Sequence, residues 1–410
     1  MSHLPAPCLV FKITLIEMTY RSAIIKRNIE AVLMYPFVLL GKIMSPFFFR
    51  LTKQHEVFIF CPSADIGGAI LINIDLCKCI ADKSPLVIFS KIPKNNSFLH
   101  LFKENGISTI DLHRYVDYKC YHFVNFFYRG VIASHINKLK DPIVLGGESL
   151  FFYKVLPHIK KDATRIDICH LDTWFNYTQA FIKDVDKRIF STAKLKRDAE
   201  ELYRQNNLPA EYYSRLYFVD SKVDIPPRSE NNNSILQVVF IGRGAPQKRV
   251  HLIAAIAKKL HEMKSKIHFS FAGDVSEVIN SDEYPYCTFF GNVTDRQKMK
   301  EISSSSDVLL LTSAYEGLPL AVMEMMAHGK VVVSTAINAI PDYIVNGENG
   351  FLIEDYQDEN KIIDEAVSIL NNLADNRTVL KAVGEKSRLY AENHFSEKAF
   401  CEGYRKIIFS

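Results

Sequence analysis

Short apolar runs bounded by turn residues recur along this chain, and longer stretches with apolar residues at helical spacing separate them. In the first half the runs fall at 56–61, 85–90, 109–113, 142–145, 166–170 and 188–191. In the second half they fall at 236–241, 267–272, 288–290, 308–312, 331–334 and 350–353. A near-continuous run such as Val308-Leu309-Leu310-Leu311 suits a strand covered on both faces. Helices are expected between most of the strands, among them 70–81 and the amphipathic stretch 250–262, with a last one at 397–409. This alternation predicts an α/β fold with parallel sheets and helices on both faces. The Pro-, Ser- and Asn-rich stretch 226–234 reads as a linker between two Rossmann-like halves. The organisation expected is an extension at 1–50, a first domain at 51–226, a second at 227–395 and a C-terminal helix at 396–410.

Candidate chemistry concentrates in the second half. The strand 307–313 runs into Glu316-Gly317-Leu318-Pro319, and Glu324 lies eight positions after Glu316. Pro319 suits a first helical turn, where its missing N–H costs nothing. Glu316 is then placed in the turn after a strand, Glu324 inside the helix, and Gly329 at the helix stop. In open α/β sheets, ligands bind at those strand ends. A carboxylate there can accept hydrogen bonds from sugar hydroxyls, and backbone N–H groups at a helix start can hold an anion. The second patch is the loop Gly242-Arg243-Gly244-Ala245-Pro246-Gln247-Lys248-Arg249 between a strand and a helix. It is not a P-loop, which needs Gly in place of Gln247 and Ser or Thr in place of Arg249. It is not a dinucleotide fingerprint, which needs a small residue in place of Gln247. What remains is a Gly-Arg pair with a lysine five residues after the arginine, a fork and a point charge that suit a diphosphate.

Together these motifs resemble retaining glycosyltransferases of the GT-B fold, family four (glycosyltransferase group 1), of the bacterial surface-polysaccharide type. The resemblance covers roughly residues 56–410, specific in the second half and weaker in the first. It implies two Rossmann-like domains with parallel sheets facing a central cleft, and a final helix that packs back on the first domain. Glu316 would hold hydroxyls of the donor sugar and Glu324 the ribose diol. The N–H groups around Gly317, Leu318 and Pro319 would face the sugar or the phosphates. Gly242, Arg243 and Lys248 would grip the donor diphosphate, with no metal or other cofactor expected. In the first half, Gly67-Gly68 would lie beside the donor phosphates and the acceptor, and His170 would contact the donor sugar and the reacting centre. Glu148 and Asp172 are the acceptor-side candidates. Ala339 and Asp342 depart from the family's usual Gly and Glu. The implied activity is transfer of a sugar from a UDP- or GDP-sugar to an acceptor hydroxyl in lipopolysaccharide, O-antigen or capsule assembly. An epimerase or phosphorylase of the same fold, or a silent sugar-nucleotide-binding subunit, are the alternatives.

Composition narrows the setting. The formal charge of +4 comes from residues 1–50, which hold six Lys/Arg against two Asp/Glu, while the rest is balanced at 44 against 44. No basic stripe with interleaved aromatics argues for nucleic acid. The eight cysteines form no CxxC pair, and their scatter suits a reducing cytosol. Asp184-Val185-Asp186 is read as a polar connector rather than a metal-binding DxD. In the extension, Ile25, Ile29, Val32 and Leu33 repeat at helical spacing before Pro36 interrupts. Lys42 and the prolines argue against a membrane span, and no signal-peptide cleavage site stands out. A basic amphipathic segment at 20–50 suggests peripheral contact with the cytoplasmic face of the inner membrane, beside a lipid-linked acceptor.

Overall fold

The computed structural model describes residues 19–48, 55–117, 122–171, 175–228, 233–316 and 320–410. Gly317, Leu318, Pro319 and Asp172 lie outside the described residues. Contacts group the chain into two compact units, Met1–Arg188 with Ala199–Leu216, and Ile189–Asp198 with Tyr217–Ser410.

The first sheet has seven strands: β1 Val57–Cys61, β2 Leu86–Phe89, β3 Ser108–Asp111, β4 Ile143–Gly146, β5 Thr164–Cys169, β6 Lys187–Phe190 and β7 Leu216–Phe218. Their order is β3-β2-β1-β4-β5-β6-β7. The second sheet has six: β8 Leu236–Ile241, β9 Ile267–Ala272, β10 Thr288–Gly291, β11 Val308–Leu311, β12 Val331–Thr335 and β13 Phe351–Ile353. Their order is β10-β9-β8-β11-β12-β13. Strand pairs in both sheets run parallel, as in Phe60↔Gly146 and Val308↔Val238. Every residue of β1, β11 and β12 is buried. This accounts for their near-continuous apolar sequences, each large side chain contributing about 1.5–3 kcal/mol by leaving water. In each sheet the strand order reverses once, between β1 and β4 and between β8 and β11. The crevice at such a reversal, outside the carboxyl ends of the strands, is where this architecture takes ligands.

Helix α1, Tyr20–Met44, runs unbroken through Pro36, against the interruption expected there. A proline inside a helix costs about 3 kcal/mol, and close docking offsets it. A Cβ on Gly41 would meet the Phe127 carbonyl oxygen at 2.0 Å, and one on Gly130 would meet that of Val38 at 2.0 Å. The backbones of α1 and the His122–Asn137 helix therefore touch where both side chains are missing. Glu30 adds ion pairs to Arg129, at 2.8 Å, and to Lys154. The Asp184-Val185-Asp186 segment also has structural duties. Asp184 pairs with Arg27 at 2.5 Å, and Asp186 takes a two-pronged bond from Arg165 at 2.8 and 2.9 Å.

Candidate active site

In the second unit, the loop after β8 and the loop after β11 meet at the reversal point. The chain leaves β8 through Gly242, whose φ of 156° lies in the left-handed half of backbone space. Gly273, at the end of neighbouring β9, cannot carry a side chain, because a Cβ would lie 1.8 Å from the Gly242 carbonyl oxygen. The loop then turns through Pro246–Lys248 and reaches Arg249, itself left-handed at φ 45°, which starts the Val250–Glu262 helix.

Arg249 ties the two loops together. Its Nε donates to the Thr312 carbonyl at 2.7 Å, one terminal nitrogen to that of Ser313 at 2.9 Å, and the other to that of Tyr356 at 2.9 Å. The Thr312 hydroxyl donates in return to the carbonyl of Arg249, at 3.0 Å. The Ala314 N–H donates to the Gln247 carbonyl at 2.7 Å, and the Thr335 hydroxyl to that of Ser313 at 2.7 Å.

These ties bring Lys248 against Glu316. The ammonium and the Ser313 hydroxyl, the latter at 2.8 Å, both donate to Oε1 of the carboxylate. No described residue donates to Oε2, although Glu316 is only 8% exposed. Asn338 holds the backbone by donating to the Glu316 carbonyl at 2.7 Å. Arg243 is exposed in the same loop, and no described side chain pairs with it. Glu324 sits inside the Leu320–Ala327 helix, half-buried, its carboxylate bonded to no described residue. Burial raises its pKa above the usual carboxyl value; Asp224 adds to the rise, while Arg296 and Lys300 oppose it. The helix ends before Gly329, at φ 71°.

The first unit presents a second cluster at its own reversal point. Gly67 and Gly68 open helix α2, Gly68–Cys79, directly after β1. A Cβ on either would meet nothing within 4 Å, and the φ of 175° at Gly67 is open to any residue. Neither packing nor backbone demands glycine there, so the pair leaves free space beside the strand end. After β4, Gly147 is demanded, since a Cβ would lie 1.6 Å from the Ile168 carbonyl oxygen on β5. Glu148 follows in the left-handed region at φ 55°. Burial pushes its carboxyl up to about 7; the main-chain N–H of His170 opposes this and Asp167 adds to it. Burial pushes the His170 imidazole down to about 4. Glu148 Oε1 and His170 Nδ1 are both buried without a hydrogen-bond partner among the described residues.

Two pairs of predicted residues are therefore adjacent within their own units: Lys248 and Glu316 in one, and Glu148 and His170 in the other. Sequence reading missed Arg249, Ser313, Thr335 and Asn338, which hold the first pair. An arginine directly after Lys248, ahead of a helix, was the available signal.

Residues 236–372 match the family model described as glycosyl transferases group 1. The matched range lies within the second unit. It contains Arg243, Lys248, Glu316 and Glu324. The chain as a whole has the GT-B fold. It superposes on HepE of Anabaena, solved in complex with UDP, with a TM-score of 0.65 at 13% identity, covering 86% of this chain and 99% of that one. On the lipopolysaccharide outer core galactosyltransferase WaaB the TM-score is 0.64 at 18% identity, covering 86% and 98%. Among curated relatives, the N-acetyl-alpha-D-glucosaminyl L-malate synthase of Bacillus anthracis is 24% identical over 208 residues, 48% of this chain and 51% of that protein. The matches span from a quarter to about half of the first curated relatives' lengths: 51%, 25% and 30%.

Proposed function

We propose that this chain is a retaining, metal-independent glycosyltransferase that moves a sugar from a UDP- or GDP-sugar to an acceptor hydroxyl in bacterial surface-polysaccharide assembly. The observation that carries the reading is the Lys248–Glu316 pair at the β8/β11 reversal, where no described residue donates to Glu316 Oε2. An ammonium has three donors, so Lys248 can keep its bond to Glu316 and still reach a phosphate oxygen. Arg243 adds a fork for the same diphosphate. Glu316 receives the sugar hydroxyls at Oε2, and Glu324 the ribose diol. The reading is supported by HepE, solved with UDP, and by WaaB, whose name gives a lipopolysaccharide outer core product.

In the reaction, the bond from the anomeric carbon to the diphosphate oxygen breaks. A bond from the acceptor oxygen forms on the same face, and the acceptor's proton passes to the departing phosphate. Lys248 and Arg243 stabilise the charge that develops on that phosphate. Glu148 and His170 orient the acceptor hydroxyl, and Gly67-Gly68 leave room for the phosphates and the acceptor. The enzyme works at the cytoplasmic face of the inner membrane, in contact with it through residues 20–50.

Thermal-shift binding of UDP, GDP, CMP and ADP tests the donor site. One nucleoside diphosphate should raise the melting temperature, and Lys248→Ala and Glu324→Ala should each remove the shift. No shift with any nucleotide would sink the reading.

A further inference from the structure

Helix α1 is amphipathic in the inverted sense. The positions that face the protein are Ala23, Arg27, Glu30, Val38, Gly41 and Ser45, a stripe of small and charged residues. The opposite stripe is aliphatic and aromatic and points outward: Ile25 is 59% exposed, Ile29 55%, Val32 75%, Leu33 61%, Ile43 65% and Phe47 85%. The first five recur at helical spacing, so they form one line along a helix of 25 residues, about 38 Å long, and Phe47 continues it in the turn Ser45–Phe47 that follows. Phe123 at the start of the His122–Asn137 helix, 51% exposed and in ring contact with Phe37, widens it. An exposed apolar face of this length marks a binding surface.

Its charge says what binds. The only acidic residue from 19 to 48 is Glu30, and it is turned inward onto Arg129 and Lys154. Arg21 and Lys26 are exposed at one end of the stripe, and Lys42 is half-buried near the other. Two copies meeting through this face would bring cations together with no exposed acid to answer them. A lipid leaflet answers both features, with acyl chains for the stripe and headgroups for its cationic flanks. The stretch Tyr20–Phe47 is long and apolar enough to cross a bilayer. Crossing would strip Arg27 and Glu30 of their partners inside hydrocarbon and part the Gly41/Gly130 backbone contact.

We propose that α1 lies flat and inserts its outer stripe into one leaflet while its inner stripe stays docked on the protein, so that attachment is apolar rather than electrostatic. This deepens the reading of residues 20–50 as the membrane contact.

Flotation of the full chain with phosphatidylcholine vesicles, with and without phosphatidylglycerol, tests it. The expected result is binding to both compositions that survives molar salt. Val32→Glu and, separately, Ile43→Glu should each weaken it by about tenfold or more, while Lys26→Glu changes it little. Both glutamates replace exposed residues, and unaltered thermal unfolding confirms their fold. Absence of flotation, binding confined to anionic vesicles and lost in salt, or resistance to carbonate extraction would each overturn the proposal. So would a concentration-dependent dimer that Val32→Glu abolishes. Nucleotide thermal shifts run in parallel keep the two readings apart: flotation without a nucleotide shift sinks only the donor site, and the reverse sinks only the leaflet.

Discussion

The two sheets place a glutamate at the same topological point, and the surroundings give the two carboxylates different character. Glu316 follows β11 at one reversal and meets an ammonium and a hydroxyl. Glu148 follows β4 at the other and meets a main-chain N–H beside a neutral imidazole, with Asp167 nearby. The first arrangement keeps a cation beside the carboxylate, where the proposed reaction places its leaving diphosphate. The second leaves a carboxyl that exchanges its proton near neutrality, pushed up to about 7. Topology thus fixes where a ligand can bind, and burial together with the neighbouring donors and charges fixes what chemistry the carboxylate can offer.

Removing Lys248 should break the comparison most severely. Lys248→Ala leaves Glu316 without its cation and the diphosphate without its point charge, and turnover should fall by about 10²–10³-fold in a radiolabelled sugar-transfer assay. Glu316→Gln, which keeps the shape, should lose less than Lys248→Ala if charge on the diphosphate matters more than the sugar contact.

The next largest effect concerns stability. Gly147→Ala forces a methyl onto the Ile168 carbonyl, and about 3 kcal/mol should be lost in urea unfolding. Gly68→Ala, facing open space, should cost less than 1 kcal/mol in the same experiment. If it also weakens nucleotide or acceptor binding, the space it fills is functional.

The subtlest test is pH. Between the ordinary carboxyl value of 4.5 and about 7, the folded chain keeps a proton on Glu148 that the unfolded chain has released, so this group's contribution falls as pH rises. His170 works oppositely: from about 4 to 6.5 the unfolded chain binds the proton, and stability rises with pH. The two partly cancel. Glu148→Gln removes the first alone and should leave stability rising more steeply with pH between 4.5 and 6.5, read by denaturant titration at several pH values. An unchanged profile would mean that Glu148 is not held protonated.

Much of the element pattern was legible in the sequence. The expected ranges 236–241, 267–272 and 250–262 coincide with β8, β9 and the Val250–Glu262 helix. Even the fully buried strands β1, β11 and β12 differ from the expected ranges by one residue at one end. Boundaries slip by one or two residues where polar residues close a strand, as at β5, whose Thr164 and Arg165 precede the expected start. Glu316 and Lys248 could be singled out as positions, but the residues that join them could not. Arg249 acts on carbonyls 63 to 107 positions away, and such bonds leave no local pattern. For α1 the period was visible and the direction was not. A stripe at helical spacing looks the same whether it faces the core or the solvent, and only the partners of Arg27 and Glu30 decide which.

The docking of α1 has a practical side. Trimming an apolar N-terminal helix is a common route to better-behaved protein, and here it should do the opposite. A chain starting after α1 would leave Arg129 and Lys154 without the carboxylate they share. It would also lay bare the Gly130 groove of a helix whose flank is otherwise covered. Solubility is better sought by adding charge to the outer stripe, which keeps the inner contacts whole.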